Sequence, residues 1–311
     1  MTGCARESDA STKVVHIGYQ VAGDLARESK VIDRRLATLG VKTEWAQFVN
    51  GPPLLEALNA GAIDLGSTGE TPPIFAQIAG ADLVYLVNIP ASTSSAYILI
   101  TPKNSAIRTV ADLKGKKIAY PRGTAATYYL AQVLKEAGLN FDDVQQVTVQ
   151  ISDYSGALQR GEIDGFVTVE LYLERGGLDK LVRIIRDSKG ISTPGSYFLA
   201  NRKFAVENPV ILKAILEEYY KTGLWRNAHP REAAKILASQ LNLRVERLEK
   251  YYSKYRYTME PMNEKIINDQ QKIADFLYDI KVIPKKVNIR DAILTPEQYA
   301  AITPDAIIKS A

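Results

Sequence analysis

Two loops carry the residue types whose spacing best suits chemistry on a small anion. The first is Gly66-Ser67-Thr68-Gly69-Glu70-Thr71-Pro72-Pro73, which runs into an apolar helical stretch over 74–79. Ser67, Thr68 and Thr71 supply hydroxyl donors, and Gly69 lets the backbone approach a ligand closely. The prolines suit the first turn of a helix, where the missing N–H is no loss. The second loop is Arg122-Gly123-Thr124-Ala125-Ala126-Thr127, ahead of a helix over 128–137. Thr124 reads as its N-cap, and the N–H groups behind it point outward with the positive end of the helix dipole. Taken alone, each loop reads more readily as an ordinary helix start that touches no ligand. Together they suit a permanent anion held by uncharged donors. Each charge-assisted hydrogen bond contributes about 1.5–3 kcal/mol net, so several hold a small anion without a buried Lys or Arg.

Other reactive residue types are sparse. The single cysteine, Cys4, excludes an internal disulfide and a cysteine-rich metal site. His16 and His229 lack metal-ligand spacing and read as structural or surface groups, so neither metal nor cofactor is expected. No Ser-His-Asp set or paired-carboxylate spacing appears, so no catalytic residue is expected. Thr2-Gly3-Cys4 has the small residues that precede a lipid-bearing cysteine in bacterial lipoproteins, with 5–13 as a polar tether. That reading places an apolar signal segment ahead of Met1 in a longer precursor. The other reading of Cys4 is an incidental thiol.

The elements that must position the two loops come from an internal duplication. ALNAGAID at 57–64 recurs as ALQRGEID at 157–164, and Ile17-Gly18-Tyr19-Gln20 is echoed by Ile118-Ala119-Tyr120-Pro121. Helical stretches end at Gly40 and Gly138, which suit left-handed C-caps. Downstream, YILITPK at 97–103 resembles YFLANRK at 197–203. Each copy reads strand, loop, helix, strand, loop, helix, strand, a pattern that implies a parallel sheet.

The fold class is therefore α/β, with two similar lobes and two hinge crossings, expected at 97–103 and 197–203. Lobe one comprises 14–98 and 203–311, lobe two 99–202, behind a tether over 1–13. Helical periodicity over 208–225, 230–241, 245–252 and 263–278 predicts a C-terminal tail packed on lobe one. Ligands of open α/β sheets bind beyond the carboxyl ends of the strands, so both loops should face one interlobe cleft. Tyr128 and Tyr129 either line that cleft or pack beneath it. Trp45 reads as core or cleft edge, Trp225 as packing, and the charge run 183–189 as a solvated face.

Composition narrows the function classes. Of 311 residues, 46% are hydrophobic and 24% charged, as in a soluble globular protein. A net charge of +4 without a basic block does not suit a nucleic-acid binder. A regulator would need a helix-turn-helix, and only a short polar segment precedes the first strand. No apolar run approaches the ~20 residues that span a bilayer.

The block LEALNAGAIDLGSTGETPPIFAQ at 55–77 resembles the signature of periplasmic aliphatic-sulfonate-binding proteins. So do TVADLKGKK at 109–117 and VIPKKVNIR at 282–290. The likeness runs from about residue 14 to 295 and implies a two-lobed type II periplasmic binding protein of an ABC importer. Such a protein hands its ligand to a membrane permease and its ATPase, acts as a monomer, and is periplasmic or held at the cell surface through a lipid on Cys4. The resemblance places the anion beside Ser67, Thr68, Gly69, Thr124, Ala125 and Thr127, with Gln20 and Tyr197 on cleft-side segments. Wider relatives bind taurine, nitrate or pyrimidine precursors, and a few are enzymes. One departure stands out: Val169-Glu170-Leu171 occupies the place of the family's usual Trp-Asp-Pro. The lost Trp should enlarge or reshape the pocket. Glu170 then either meets a cationic ligand tail or closes the lobes through a salt bridge.

Overall fold

The computed structural model describes residues 13–309 apart from 22, 92–96, 150 and 174–177, so Cys4 and the tether lie outside the described residues. The first lobe is built on β1 (Lys13–Gln20), β2 (Val41–Phe48), β3 (Leu65–Gly69) and β4 (Leu83–Ile89). The second is built on β5 (Tyr97–Pro102), β6 (Lys117–Ala119), β7 (Gln145–Val147), β8 (Gly165–Val169) and β9 (Val182–Asp187). The chain then returns to the first lobe with β10 (Ser196–Asn201) and the short β11 (Glu260–Pro261). The sheet orders are β11-β4-β10-β3-β1-β2 and β7-β6-β8-β5-β9.

The duplication is a structural fact. In each lobe three parallel strands pair around a central one: Ile17 aligns with Trp45 and Leu65, and Ile118 with Gln146 and Gly165. The repeated Ile-Asp does the same work twice. Asp64 accepts the His16 N–H at 2.8 Å, and Asp164 accepts the Lys117 N–H at 2.8 Å. Each carboxylate ties the third strand to the start of the first. Gly40 and Gly138 adopt φ of 71° and 73°, the left-handed conformation expected of them.

The crossings differ from the expectation. β5 pairs wholly within the second sheet and β10 wholly within the first. The chain therefore changes lobes ahead of the Tyr-headed strands, between β4 and β5 and again between β9 and β10, not at 97–103 and 197–203. Residues 196–202, assigned from sequence to lobe two, lie with lobe one. The physical reason is the pairing itself: each crossing strand adds antiparallel to the lobe it enters. The charge run 183–189 is largely β9, an edge strand, where Arg186 pairs with Glu136 at 2.9 Å.

The first sheet carries a core on each face. Val15, Ile17, Leu65 and Val87 pack with Leu212, Ile215 and Leu216 of the helix Pro209–Ala228. Leu54, Leu58, Ile74 and Tyr85 pack with Ile273 and Leu277 of the helix Glu264–Asp279. The tail also reaches lobe two, contrary to the expectation that it packs on lobe one. Leu171 joins a cluster with Ala233, Leu237, Leu248 and Tyr252, and Tyr128 meets Phe276 edge-on at 5.7 Å. Trp45 is half-buried at the first core, while Trp225 is an exposed residue stacked on His229 at 5.3 Å, not core packing. No helix among the described residues is long and apolar enough to cross a membrane.

Candidate functional site

A cavity of about 560 Å³ opens between the lobes. Its floor comes from the end of β3 and the residue after it: Ser67, Thr68 and Gly69 of the strand, then Glu70. Opposite stands the helix Ala125–Glu136, which contributes Ala125, Tyr128 and Tyr129. A Cβ placed on Gly69 would come within 3.1 Å of the Ala125 Cβ, so the two hydroxyl-bearing loops meet across the cleft and leave little room for a side chain there. The crossing segment supplies Ser188, Gly190, Ser192 and Thr193. Gly195 holds the two crossings together: at φ of 105° it sits so close to Ile89 that a Cβ would fall 2.2 Å from the Ile89 carbonyl oxygen.

Among the sequence-predicted residues, Gln20, Ser67, Thr68, Gly69 and Ala125 line the cavity. Their polar groups are partly spent on one another. Gln20 donates Nε2 to the Ser67 carbonyl at 2.8 Å, and Thr68 donates its hydroxyl to the Gly69 carbonyl at 3.0 Å. Thr124 is the N-cap: its Oγ1 donates to the Pro121 carbonyl at 2.6 Å and accepts the Ala126 N–H at 3.2 Å. Its hydroxyl proton is thereby consumed, and Thr124 does not line the cavity. It fixes the helix start, whose Ala125 N–H is not taken by the cap. Thr127 is buried with Oγ1 lacking a partner among the described residues, and it too lies off the cavity lining.

Tyr197 and Glu170 are turned away from the cavity. Tyr197 is 0% exposed, donating its hydroxyl to Gln270 Oε1 at 3.2 Å in the core of lobe one. Its neighbour by duplication takes the cleft instead. Ser196 aligns with Gly69 and Tyr97 with Val169, so the two lobes' registers make Tyr97 the counterpart of Ser196, not of Tyr197. That one-residue shift sends the two rings to opposite faces. Glu170 Oε2 accepts from Lys254 Nζ at 2.9 Å and from Tyr255 at 3.0 Å, and its carbonyl accepts from Arg247 at 2.7 Å. It joins lobe two to the helix Val245–Lys254 and does not line the cavity. Val169 packs against the same helical cluster, so the position of the family's Trp is not a cavity wall here.

Several lining residues escaped the sequence reading. Glu70 is 5% exposed, and burial pushes its carboxyl up to about 7. Its side chain accepts from Thr71 at 3.4 Å and bonds Thr193 of the crossing segment. No Lys or Arg among the described residues pairs with it. Its backbone is pinned from the tail: Gln270, fully buried, donates Nε2 to the Glu70 carbonyl at 2.6 Å. The tail also brings Arg226, Tyr251, Tyr255, Arg256 and Tyr257 to the cavity. Arg226 is half-buried, and burial lowers its pKa. The signal available was only the tyrosine-rich run at 251–257, which helical periodicity alone reads as packing.

Residues 40–233 match the family model described as NMT1/THI5 like. Over 295 residues the chain is 34% identical to a putative aliphatic sulfonates-binding protein of Escherichia coli (strain K12), covering 94% of this chain and 92% of that protein. Among solved structures it is similar to the alkanesulfonate-binding protein SsuA from Xanthomonas axonopodis pv. citri bound to MOPS. The TM-score is 0.85 at 31% identity, covering 92% of this chain and 99% of the other. The periplasmic aliphatic sulphonate-binding protein SsuA of Escherichia coli aligns with a TM-score of 0.80 at 34% identity, over 92% and 93% of the two chains.

Proposed function

We propose, since the chain belongs to the NMT1/THI5-like family and within it to the aliphatic-sulfonate-binding proteins, that it is the solute-binding component of an ABC importer and captures an organosulfonate between its lobes. The observation that carries this reading is the meeting of Gly69 with Ala125. It sets the Ser67–Gly69 backbone and the N-terminus of a 12-residue helix against one space. A sulfonate is anionic at all working pH, so it needs donors rather than a base. Aligned N–H groups and the helix dipole supply them without a desolvated ammonium. Gln20 and Thr124 act as positioning residues, the first holding the Ser67 carbonyl and the second the helix start.

The finer parts of the reading are these. Capture closes the lobes over the crossings, and the loaded monomer docks on a permease served by an ATPase. The protein works in the periplasm or at the cell surface, anchored where Cys4 carries a lipid. Its relatives' role in binding supports capture rather than turnover as its task.

Thermal melts with ethanesulfonate, MOPS, taurine, nitrate and a pyrimidine test the ligand class. A ligand that binds only the folded state stabilises it by about 2.7 kcal/mol at a hundredfold excess over Kd. A sulfonate should raise Tm. A rise with nitrate or the pyrimidine, and with no sulfonate, sinks the proposal.

A further inference from the structure

Arg226 is a charge without a counter-charge. It stands in the last turn of the helix Pro209–Ala228, where the negative end of the helix dipole favours a cation. Its guanidinium lies 4.8 Å from the ring centre of Tyr252 and 5.3 Å from that of Tyr257. Nη2 donates to the Tyr255 carbonyl at 2.7 Å. Nε is buried and unpartnered among the described residues, and Nη1 donates to none of them. Arg256 lines the same cavity, and its charge adds to the burial that lowers the Arg226 pKa. Among the described residues no carboxylate forms an ion pair with either arginine.

The nearby acids are engaged elsewhere. Glu170 is taken by Lys254 and Tyr255, and Glu70 sits with Thr71 and Thr193 at the loop after β3. Tyr97 and Tyr251 line the cavity with Glu70 and Arg226. A half-buried guanidinium with no anion beside it is costly to keep, and its planar fork matches a carboxylate. The cavity thus offers uncharged donors at Gly69 and Ala125 and two guanidinium groups elsewhere in its lining. It is also far roomier than a two-carbon sulfonate requires.

We infer that the cleft is built for a doubly anionic ligand: an organosulfonate whose tail ends in a carboxylate, with the tail taken by Arg226 and Arg256. The inference rests on the sulfonate reading for the identity of the head group, and not for the second subsite.

Calorimetric titration with ethanesulfonate, sulfoacetate, 3-sulfopropionate and succinate tests it, on the wild type and on Arg226→Gln, Arg226→Lys and Arg256→Gln. The sulfonated carboxylates should bind about tenfold or more tighter than ethanesulfonate, the scale of one charge-assisted hydrogen bond. Arg226→Gln should erase that ratio, Arg226→Lys should restore part of it, and Arg256→Gln should narrow it. Arg256 is exposed, so its variant keeps the test alive where Arg226→Gln fails to fold. Equal affinity for ethanesulfonate and 3-sulfopropionate overturns the inference and leaves the sulfonate reading standing. Succinate bound with the same arginine dependence, and no sulfonate bound, keeps the second subsite and overturns the sulfonate reading. A preference that survives all three substitutions, or no binding by any of the four, overturns the assignment.

Discussion

Glu70 and Glu170 occupy the same place in the two copies of the duplicated lobe, each directly after the third parallel strand. In lobe one the chain continues into the helix Thr71–Ile78, and Glu70 stays in the cleft with hydroxyl partners only. In lobe two a short turn follows, and Glu170 reaches the tail, where Lys254 and Tyr255 meet it. Tyr97 and Tyr197, which look alike in sequence, part for another reason, a one-residue difference in register. One stacks on Tyr129 at the cleft, and the other is sealed against Gln270. A duplicated scaffold fixes where a residue stands along a strand. What packs against that strand decides its work, and the tail packs mainly on one copy.

Four substitutions test the contrast. The largest effect belongs to Tyr197→Ala, which should cost about 3–5 kcal/mol of stability through the cavity and the stranded Gln270 amide. Tyr97→Ala should lower ligand affinity more than stability. Urea unfolding of the two variants checks the difference, and equal losses would mean that both rings are structural.

Next in size is the titration of Glu70. Its folded pKa of about 7 lies above the ordinary 4.5, so the folded state binds the proton more tightly than the unfolded chain. The stability this provides is fully present below pH 4.5 and is lost as pH rises through 7, by about 3 kcal/mol. Glu70→Gln should flatten that part of the pH–stability curve. Anion affinity should also weaken in the wild type as pH passes 7, because a carboxylate then faces the ligand's head. Burial raises the pKa of the cleft tyrosines Tyr97 and Tyr251, so neither adds charge over that range. An unchanged slope in Glu70→Gln would place the titration elsewhere.

The smallest effect is expected from Glu170→Gln. Lys254 and Glu170 are 43% and 31% exposed at the side chain, so solvent screens their pair to about 0–1 kcal/mol. The variant should shift lobe closure slightly, seen as a small rise in the unliganded radius of gyration, and leave the ranking of ligands alone. A reordered ranking would return Glu170 to the binding site.

The sequence by itself determined the two similar lobes, the parallel strands within each and the two segments that meet at the cleft. These rest on local rules: Gly at the left-handed caps, Ile-Asp opening the third strands, and Ser, Thr and Pro at helix starts. Tertiary structure alone decided the rest. The crossings shifted because antiparallel pairing with the entered lobe outweighs likeness between two Tyr-headed runs. Tyr197 left the cleft because its ring is sealed in the core of lobe one, with its hydroxyl on Gln270. Arg226 and Arg256 reach the cleft only because the tail, more than 100 residues beyond the Thr124 loop, folds back over both lobes. Periodicity reports which face of a helix is apolar; it does not report which cavity the end of that helix will meet.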